Sequence, residues 1–214
     1  MNLADFIEHT LLKPDATKED LINLFEEAKK YNFKGVCVNP VNVKFAKEYL
    51  KGSAIKIVTV VGFPLGASLS DVKAFEADLA IKDGADEVDM VIAIQAVKNK
   101  DWEYVKNDIK TVKKACGDRV LKVITETDLL SKEEIIKSCE CAVEAGADFV
   151  KTSTGFVKDG VGAKVEDVKL MHSIVSSKGL FVKASGGIKD KDKAIKLVEA
   201  GALRLGTSSG KNLI

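Results

Sequence analysis

No run of apolar residues in this chain approaches the roughly 18–20 needed to span a bilayer. The opening Met1-Asn2-Leu3-Ala4-Asp5 has neither a basic n-region nor an apolar h-region, so no export signal is expected. Histidine is scarce: only His9 and His172 occur, which argues against a multi-histidine metal centre. The four cysteines, Cys37, Cys116, Cys139 and Cys141, form no CxxC pair and no zinc spacing. In a chain of 214 residues without an export signal they read as reduced thiols of a cytoplasmic protein. There is little net charge, 33 basic against 32 acidic side chains, and therefore no broad cationic field to hold nucleic acid or an anionic membrane. What the chain does have is 46% hydrophobic residues, enough for a sizeable core. No linker or low-complexity stretch divides it, so one domain over residues 1–214 is expected.

Short apolar runs alternate with longer amphipathic stretches. The runs predict strands over Ile7–Leu12, Gly35–Asn39, Ile55–Gly62, Glu87–Ala93, Val120–Thr127, Asp148–Ser153, Leu180–Ser185 and Arg204–Thr207. Between them, Leu21, Leu24, Phe25 and Ala28 fall on one helical stripe, as do Phe75, Leu79 and Ala80, and Ile135, Ile136, Cys139 and Val143. Thr17 with Asp20, and Ser131 with Glu134, have capping-box spacing. A weak repeat, Ile81–Val88, Val143–Val150 and Val198–Leu205, carries a glycine at Gly84, Gly146 and Gly201, where a helix would end and a strand begin. Eight strands at about 27 residues per βα unit predict a single-domain (β/α)8 TIM barrel, an α/β fold. The alternative, an open doubly wound sheet, would show fewer strands and one glycine-rich fingerprint near the start.

Barrel strands point alternate residues inward. By that parity Asp89, Lys122, Glu126, Phe149, Lys151, Ser153, Phe181, Lys183 and Ser185 face the interior. Lys151 and Lys183 sit at equivalent depth on consecutive strands. Mutual repulsion and desolvation both lower a lysine pKa toward the neutral amine that attacks a carbonyl, and Asp89 is placed as an acid/base partner. A purely structural ion network is the competing reading of these charges. Thr152–Gly155, Ser185–Ile188 and Gly206–Gly210 close strands six, seven and eight with small and hydroxyl residues, suited to backbone recognition of phosphate. Cys37 has inward parity and lines the pocket or simply fills the core. His172 reads as a surface or packing residue, and most lysines as solvated helix faces.

Several segments resemble the deoxyribose-phosphate aldolase family: Glu8-His9-Thr10-Leu11-Leu12-Lys13-Pro14, Gly35–Pro40, Val61–Gly66, Glu87–Ile92, Phe149–Phe156, Val182–Gly187 and Gly206–Gly210, in the family order. The resemblance implies a class I aldolase, without metal or cofactor, cleaving 2-deoxy-D-ribose 5-phosphate to acetaldehyde and D-glyceraldehyde 3-phosphate in deoxyribose phosphate catabolism. It implies Lys151 as the Schiff-base lysine, Lys183 as its tuning and proton-transfer neighbour, and Asp89 as the carboxylate of a water-mediated relay. Gly155, Gly186, Gly187, Ser208 and Ser209 would contact the phosphate, and Glu8 and Lys122 would support the polar interior. Its only expected partner is a small sugar phosphate, besides a second copy of itself, since a homodimer is common among relatives. The chain departs from the usual pattern at Ala93, Asp128, Lys189 and the stretch 157–164. A different Schiff-base barrel aldolase and a silent sugar-phosphate-binding barrel are the competing readings.

Overall fold

The computed structural model describes all 214 residues. Eight parallel strands close on themselves in sequence order: β1 (Ile7–Leu11), β2 (Gly35–Val38), β3 (Lys56–Val61), β4 (Glu87–Val91), β5 (Val120–Ile124), β6 (Phe149–Lys151), β7 (Phe181–Ser185) and β8 (Ala202–Thr207). Closure is made by β8 against β1, with Ile7 opposite Leu205 and Glu8 opposite Gly206. The connecting helices are α1 (Lys18–Tyr31), α2 (Val43–Tyr49), α3 (Ser70–Asp83), α4 (Ile94–Lys98), α5 (Trp102–Cys116), α6 (Lys132–Glu144), α7 (Val165–Val175) and α8 (Lys191–Glu199). This is the TIM barrel, and a closed sheet leaves no place for the doubly wound alternative.

Local signals explain the element ends. Both capping boxes form, Thr17 with Asp20 on α1 and Ser131 with Glu134 on α6. Gly84, Gly146 and Gly201 all take positive φ at helix exits. The aspartates after the first two of these glycines reach back to the neighbouring strand. Asp86 accepts from the Ile57 amide at 2.9 Å and Asp148 from the Leu121 amide at 2.8 Å. Each thereby satisfies a backbone donor where a strand begins.

The main apolar core lies between strands and helices, where Val88, Met90, Leu121, Val123, Val150 and Val182 meet Phe25, Ile109, Ile135, Met171 and Leu197, all buried. Each fully buried side chain of this size contributes about 1.5–3 kcal/mol. The barrel interior holds only a small apolar group, Leu12, Cys37, Val58 and Val60, on one side. Much of the rest of the interior is charged, with Phe149 set against the cations.

Helix α3 departs from the expected stripe. Phe75 and Leu79 point outward, 63% and 45% exposed, beside Leu69 and Val72, while Lys73, Ala77 and Ala80 form the buried face. Apolar residues are spread over both faces of this helix, and the inward one is built from small residues and one charge. Lys73 is fully buried and donates to Asp108 Oδ2 on α5 at 2.7 Å and to the Val91 carbonyl at 3.0 Å. Ser70 completes the aspartate at 2.8 Å. This lysine is an exception to the reading of lysines as solvated.

Removing one partner of a buried ion pair strands the other charge. Asp108→Ala is therefore expected to lower unfolding free energy by about 3–5 kcal/mol in urea denaturation, with Lys73→Met/Asp108→Leu restoring much of it. A loss below about 1 kcal/mol for the single variant would show that the pair does not hold α3 to α5.

Candidate active site

Six strands send charge into the interior. Glu8 comes from β1, Glu87 and Asp89 from β4, Lys122 from β5, Lys151 from β6, Lys183 from β7 and Arg204 from β8. Register places Asp89 opposite Lys122 and Lys151 opposite Lys183, so parity and pairing bring the groups to similar depth. Asp89 is the hub. Its Oδ1 accepts from Lys122 at 2.9 Å, and its Oδ2 accepts from Lys151 at 2.8 Å and Lys183 at 2.6 Å. Lys183 also donates to Glu8. Lys122 pairs with Glu87 at 2.6 Å and Glu8 at 3.5 Å, and Arg204 Nε lies 3.6 Å from Glu8. Phe149 lies under the cations, its ring centre 5.9 Å from Lys122 Nζ and 5.6 Å from the Arg204 guanidinium.

Burial alone would raise the carboxyl pKa of Asp89, but Lys122, Lys151 and Lys183 outweigh it and hold the group well below the usual carboxylate range. Glu8 is likewise lowered, with Lys122 and Lys183 overcoming its burial. The two aligned lysines are not equivalent, which corrects the expectation that each lowers the other. Burial disfavours the charged form of Lys183, yet Asp89 and Glu8 more than compensate and raise its pKa. Lys122 is raised to about 12 for the same reason, against its burial. Lys151 goes the other way: desolvation is the largest effect, the pull of Asp89 only partly offsets it, and Lys183 adds repulsion. Three carboxylates (Glu8, Glu87 and Asp89) face four cations (Lys122, Lys151, Lys183 and Arg204), and the one oxygen that Lys151 reaches, Asp89 Oδ2, is shared with Lys183.

Above this cluster opens a cavity of about 380 Å³ lined by Lys151, Thr154, Gly155, Gly186, Gly187 and Ser208 among others. Lys151 is the only member of the lysine pair that reaches it. Lys183 lies below, and its stem passes Gly206 so closely that a Cβ there would stand 3.1 Å from Lys183 Cε and 2.9 Å from Ser185 Cβ. Gly187 has φ +64°, and a Cβ on it would meet the Val161 carbonyl oxygen at 2.4 Å, so stretch 157–164 packs directly on this loop. Asp128 fixes that stretch, accepting from the Gly162 amide at 2.7 Å and pairing with Lys164 at 3.3 Å. Lys13 and Lys189 line the cavity and make no ion pair, supplying positive charge at its rim.

Asp89, Lys122, Lys151, Lys183 and Glu8 are thus brought together, and Gly155, Gly186, Gly187 and Ser208 surround the opening above them. Ser209 does not line the cavity; its amide donates to Thr207 Oγ1 at 2.9 Å. Cys37 is buried beneath the mouth, and burial pushes its thiol up to about 11. Glu126 departs from strand parity, because the strand ends at Ile124 and Glu126 has φ +61°. Its carboxylate accepts from the amide and hydroxyl of Thr154 and so clamps the loop after β6. Parity reasoning did not bring out Glu87 or Arg204 of the charged cluster, although Glu87 lies two residues before Asp89, nor Thr10, which lines the cavity. No group of three or more histidine, cysteine, aspartate or glutamate side chains is arranged to hold a metal ion.

The lysine asymmetry is measurable by competitive acylation across pH, read residue by residue by mass spectrometry. Lys151 is expected to label with a midpoint below the ordinary 10.5, and Lys183 to stay protected. Lys183→Leu removes a like charge and leaves Asp89 to fewer cations, so both effects should raise the Lys151 midpoint. A downward shift would mean that added desolvation dominates.

The family model described as DeoC/LacD family aldolase matches residues 6–214. The "Deoxyribose-phosphate aldolase" of Mycoplasma capricolum is 55% identical over 214 residues, covering 100% of this chain and 95% of that protein. That of Thermococcus kodakarensis is 55% identical over 216 residues, covering 99% and 95%. Among solved structures, the tetrameric deoxyribose phosphate aldolase from Aeropyrum pernix superposes with a TM-score of 0.91 at 35% identity, covering 99% of this chain and 88% of that one. An amine-bearing cavity at the mouth of a TIM barrel and these likenesses agree: the chain belongs to the DeoC/LacD aldolase family.

Proposed function

We propose that this chain is a deoxyribose-phosphate aldolase that cleaves 2-deoxy-D-ribose 5-phosphate reversibly to acetaldehyde and D-glyceraldehyde 3-phosphate through a Schiff base on Lys151. The observation that carries the reading is that one desolvated lysine with a lowered pKa opens into a cavity ringed by glycine and serine loops. The relatives' names support the substrate.

The neutral Lys151 amine attacks the C1 aldehyde, and loss of water gives the protonated imine. That imine accepts the electron pair of the C2–C3 bond as the C3 hydroxyl loses its proton, and glyceraldehyde 3-phosphate departs. The enamine left on Lys151 is protonated at C2 and hydrolysed to acetaldehyde. Lys183, kept charged by Asp89 and Glu8, tunes Lys151 and assists proton transfer. Asp89 stays a carboxylate and is therefore an acceptor within a water-mediated relay rather than a store of protons. The substrate phosphate is received by the loops carrying Gly155, Gly186, Gly187 and Ser208, with Lys13 and Lys189 at the rim. These steps use no metal or cofactor. We place the enzyme in the cytoplasm, in the breakdown of deoxyribose phosphates; four free, buried cysteines fit a reducing compartment.

We also propose a homodimer. The outward apolar face of α3, with Leu69, Val72 and Phe75 more than half exposed, supports self-association, since an isologous interface needs a self-complementary patch. Light scattering should give twice the chain mass for the native protein and one chain mass for Phe75→Glu. A native monomer would remove this proposal.

Borohydride reduction with 2-deoxyribose 5-phosphate, followed by peptide mass spectrometry, tests the mechanism. The expected result is one reduced adduct, on Lys151, and none in Lys151→Leu. Absence of an adduct, or an adduct on Lys183, would overturn it, and trapping without release of glyceraldehyde 3-phosphate would leave a silent binder.

A further inference from the structure

Strand β1 turns Glu8 toward the interior and His9 outward, under α1. His9 is 3% exposed, and its ring lies edge-on to Phe33 with centroids 5.3 Å apart. Nε2 stands 2.8 Å from Glu27 Oε2 on α1, and Nδ1 stands 3.4 Å from the carbonyl oxygen of Thr207 at the end of β8. Both ring nitrogens face acceptors, the shorter contact being the one to Glu27. The other Glu27 oxygen accepts from Lys211 at 2.8 Å, in the short turn after β8. Burial would raise the Glu27 pKa, but the hydrogen bonds from Lys211 and His9 outweigh it and lower it.

Thr207 carries the contact onward. Its hydroxyl donates to the Ile188 carbonyl at 2.7 Å and accepts from the Ser209 amide at 2.9 Å. Ile188 ends the Gly186-Gly187 turn, and Ser208 is the neighbour of both Thr207 and Ser209. A continuous chain of polar contacts therefore runs from α1, through β1, to the two loops that rim the cavity. Gly187 and Ser208 are themselves exposed, and the Thr207 hydroxyl joins their two loops, beside the packing of stretch 157–164 on Gly187.

We infer that His9 is a positioning residue for anion recognition: the Glu27–His9–Thr207 chain holds the loops after β7 and β8 in the shape that receives the substrate phosphate. It governs grip on the phosphorylated end and leaves the chemistry at Lys151 alone. This rests on the assignment of those loops to phosphate made above.

The test compares 2-deoxyribose 5-phosphate with unphosphorylated 2-deoxyribose in native enzyme, His9→Ala and Glu27→Gln, with folding checked by circular dichroism. His9→Ala is expected to raise KM for the phosphorylated sugar about tenfold, with kcat and the unphosphorylated reaction changed by no more than about twofold. Competitive inhibition by inorganic phosphate should weaken in parallel. Glu27→Gln keeps the shape of a half-exposed side chain and should show the same split at about threefold. Equal losses on both sugars would reduce His9 to a packing residue and overturn the inference, as would unchanged KM in folded variants. If His9→Ala does not fold, Glu27→Gln decides. If the native enzyme does not favour the phosphorylated sugar, the assignment of the loops to phosphate fails first, and the two failures are thereby distinguished.

Discussion

A single buried carboxylate, Asp89, organises the inside of this barrel. Three lysines from three strands converge on it, two of them on the same oxygen. Taking that many charges out of water is costly unless each is matched. The matching is uneven. Lys122 has Glu87 and Glu8 besides Asp89, and Lys183 has Glu8, whereas Lys151 has only an oxygen already shared with Lys183. Desolvation acts on all three, so the difference in partners decides which ammonium becomes easiest to neutralise. The lowered pKa of Lys151 is thus the residual of a charge balance to which the other lysines contribute.

That balance depends on the closed sheet. Contributions come from β1, β4, β5, β6, β7 and β8, elements spread over most of the chain, and only closure brings β1 back beside β8. An interior filled with charge surrenders much of the apolar packing that barrel centres usually have. The ring between strands and helices carries that burden instead, and the inner apolar group is small. Helix α3 shows the same economy outside: its inward face uses alanines around a buried Lys73–Asp108 pair, and its bulky apolar residues turn outward.

The strands, capping boxes and glycine exits were legible because period and cap chemistry are local properties of sequence. The convergence of Asp89, Lys122, Lys151 and Lys183 was legible too, since strand parity fixes direction and consecutive strands fix adjacency. Three features were not. Parity fails at Glu126 because the strand ends first, and a left-handed residue re-aims the side chain. The stripe on α3 fails because apolar residues are spread over both of its faces, so the spacing of Phe75 and Leu79 does not single out the inward one. The opposite shifts of Lys151 and Lys183 could not be read, because they depend on Glu8, which is 175 residues from Lys183 in sequence and in direct contact with it in space.

Interior and rim are held by different means. Inside, ion pairs among residues of the strands set the charge state of one amine. At the rim, single polar groups tie each loop to a separate support: Glu126 holds Thr154, Asp128 holds Gly162, and Thr207 joins Ile188 to His9. These ties lie outside the Asp89 cluster and share no side chain with it. Loops held in this way can change without disturbing the lysine balance beneath them, because Lys151 is set first by its desolvation and then by the charges of Asp89 and Lys183. The departures at Asp128, Lys189 and 157–164 all fall on the rim side of that division. They lie on the loops around the cavity, while the amine below keeps the same surroundings.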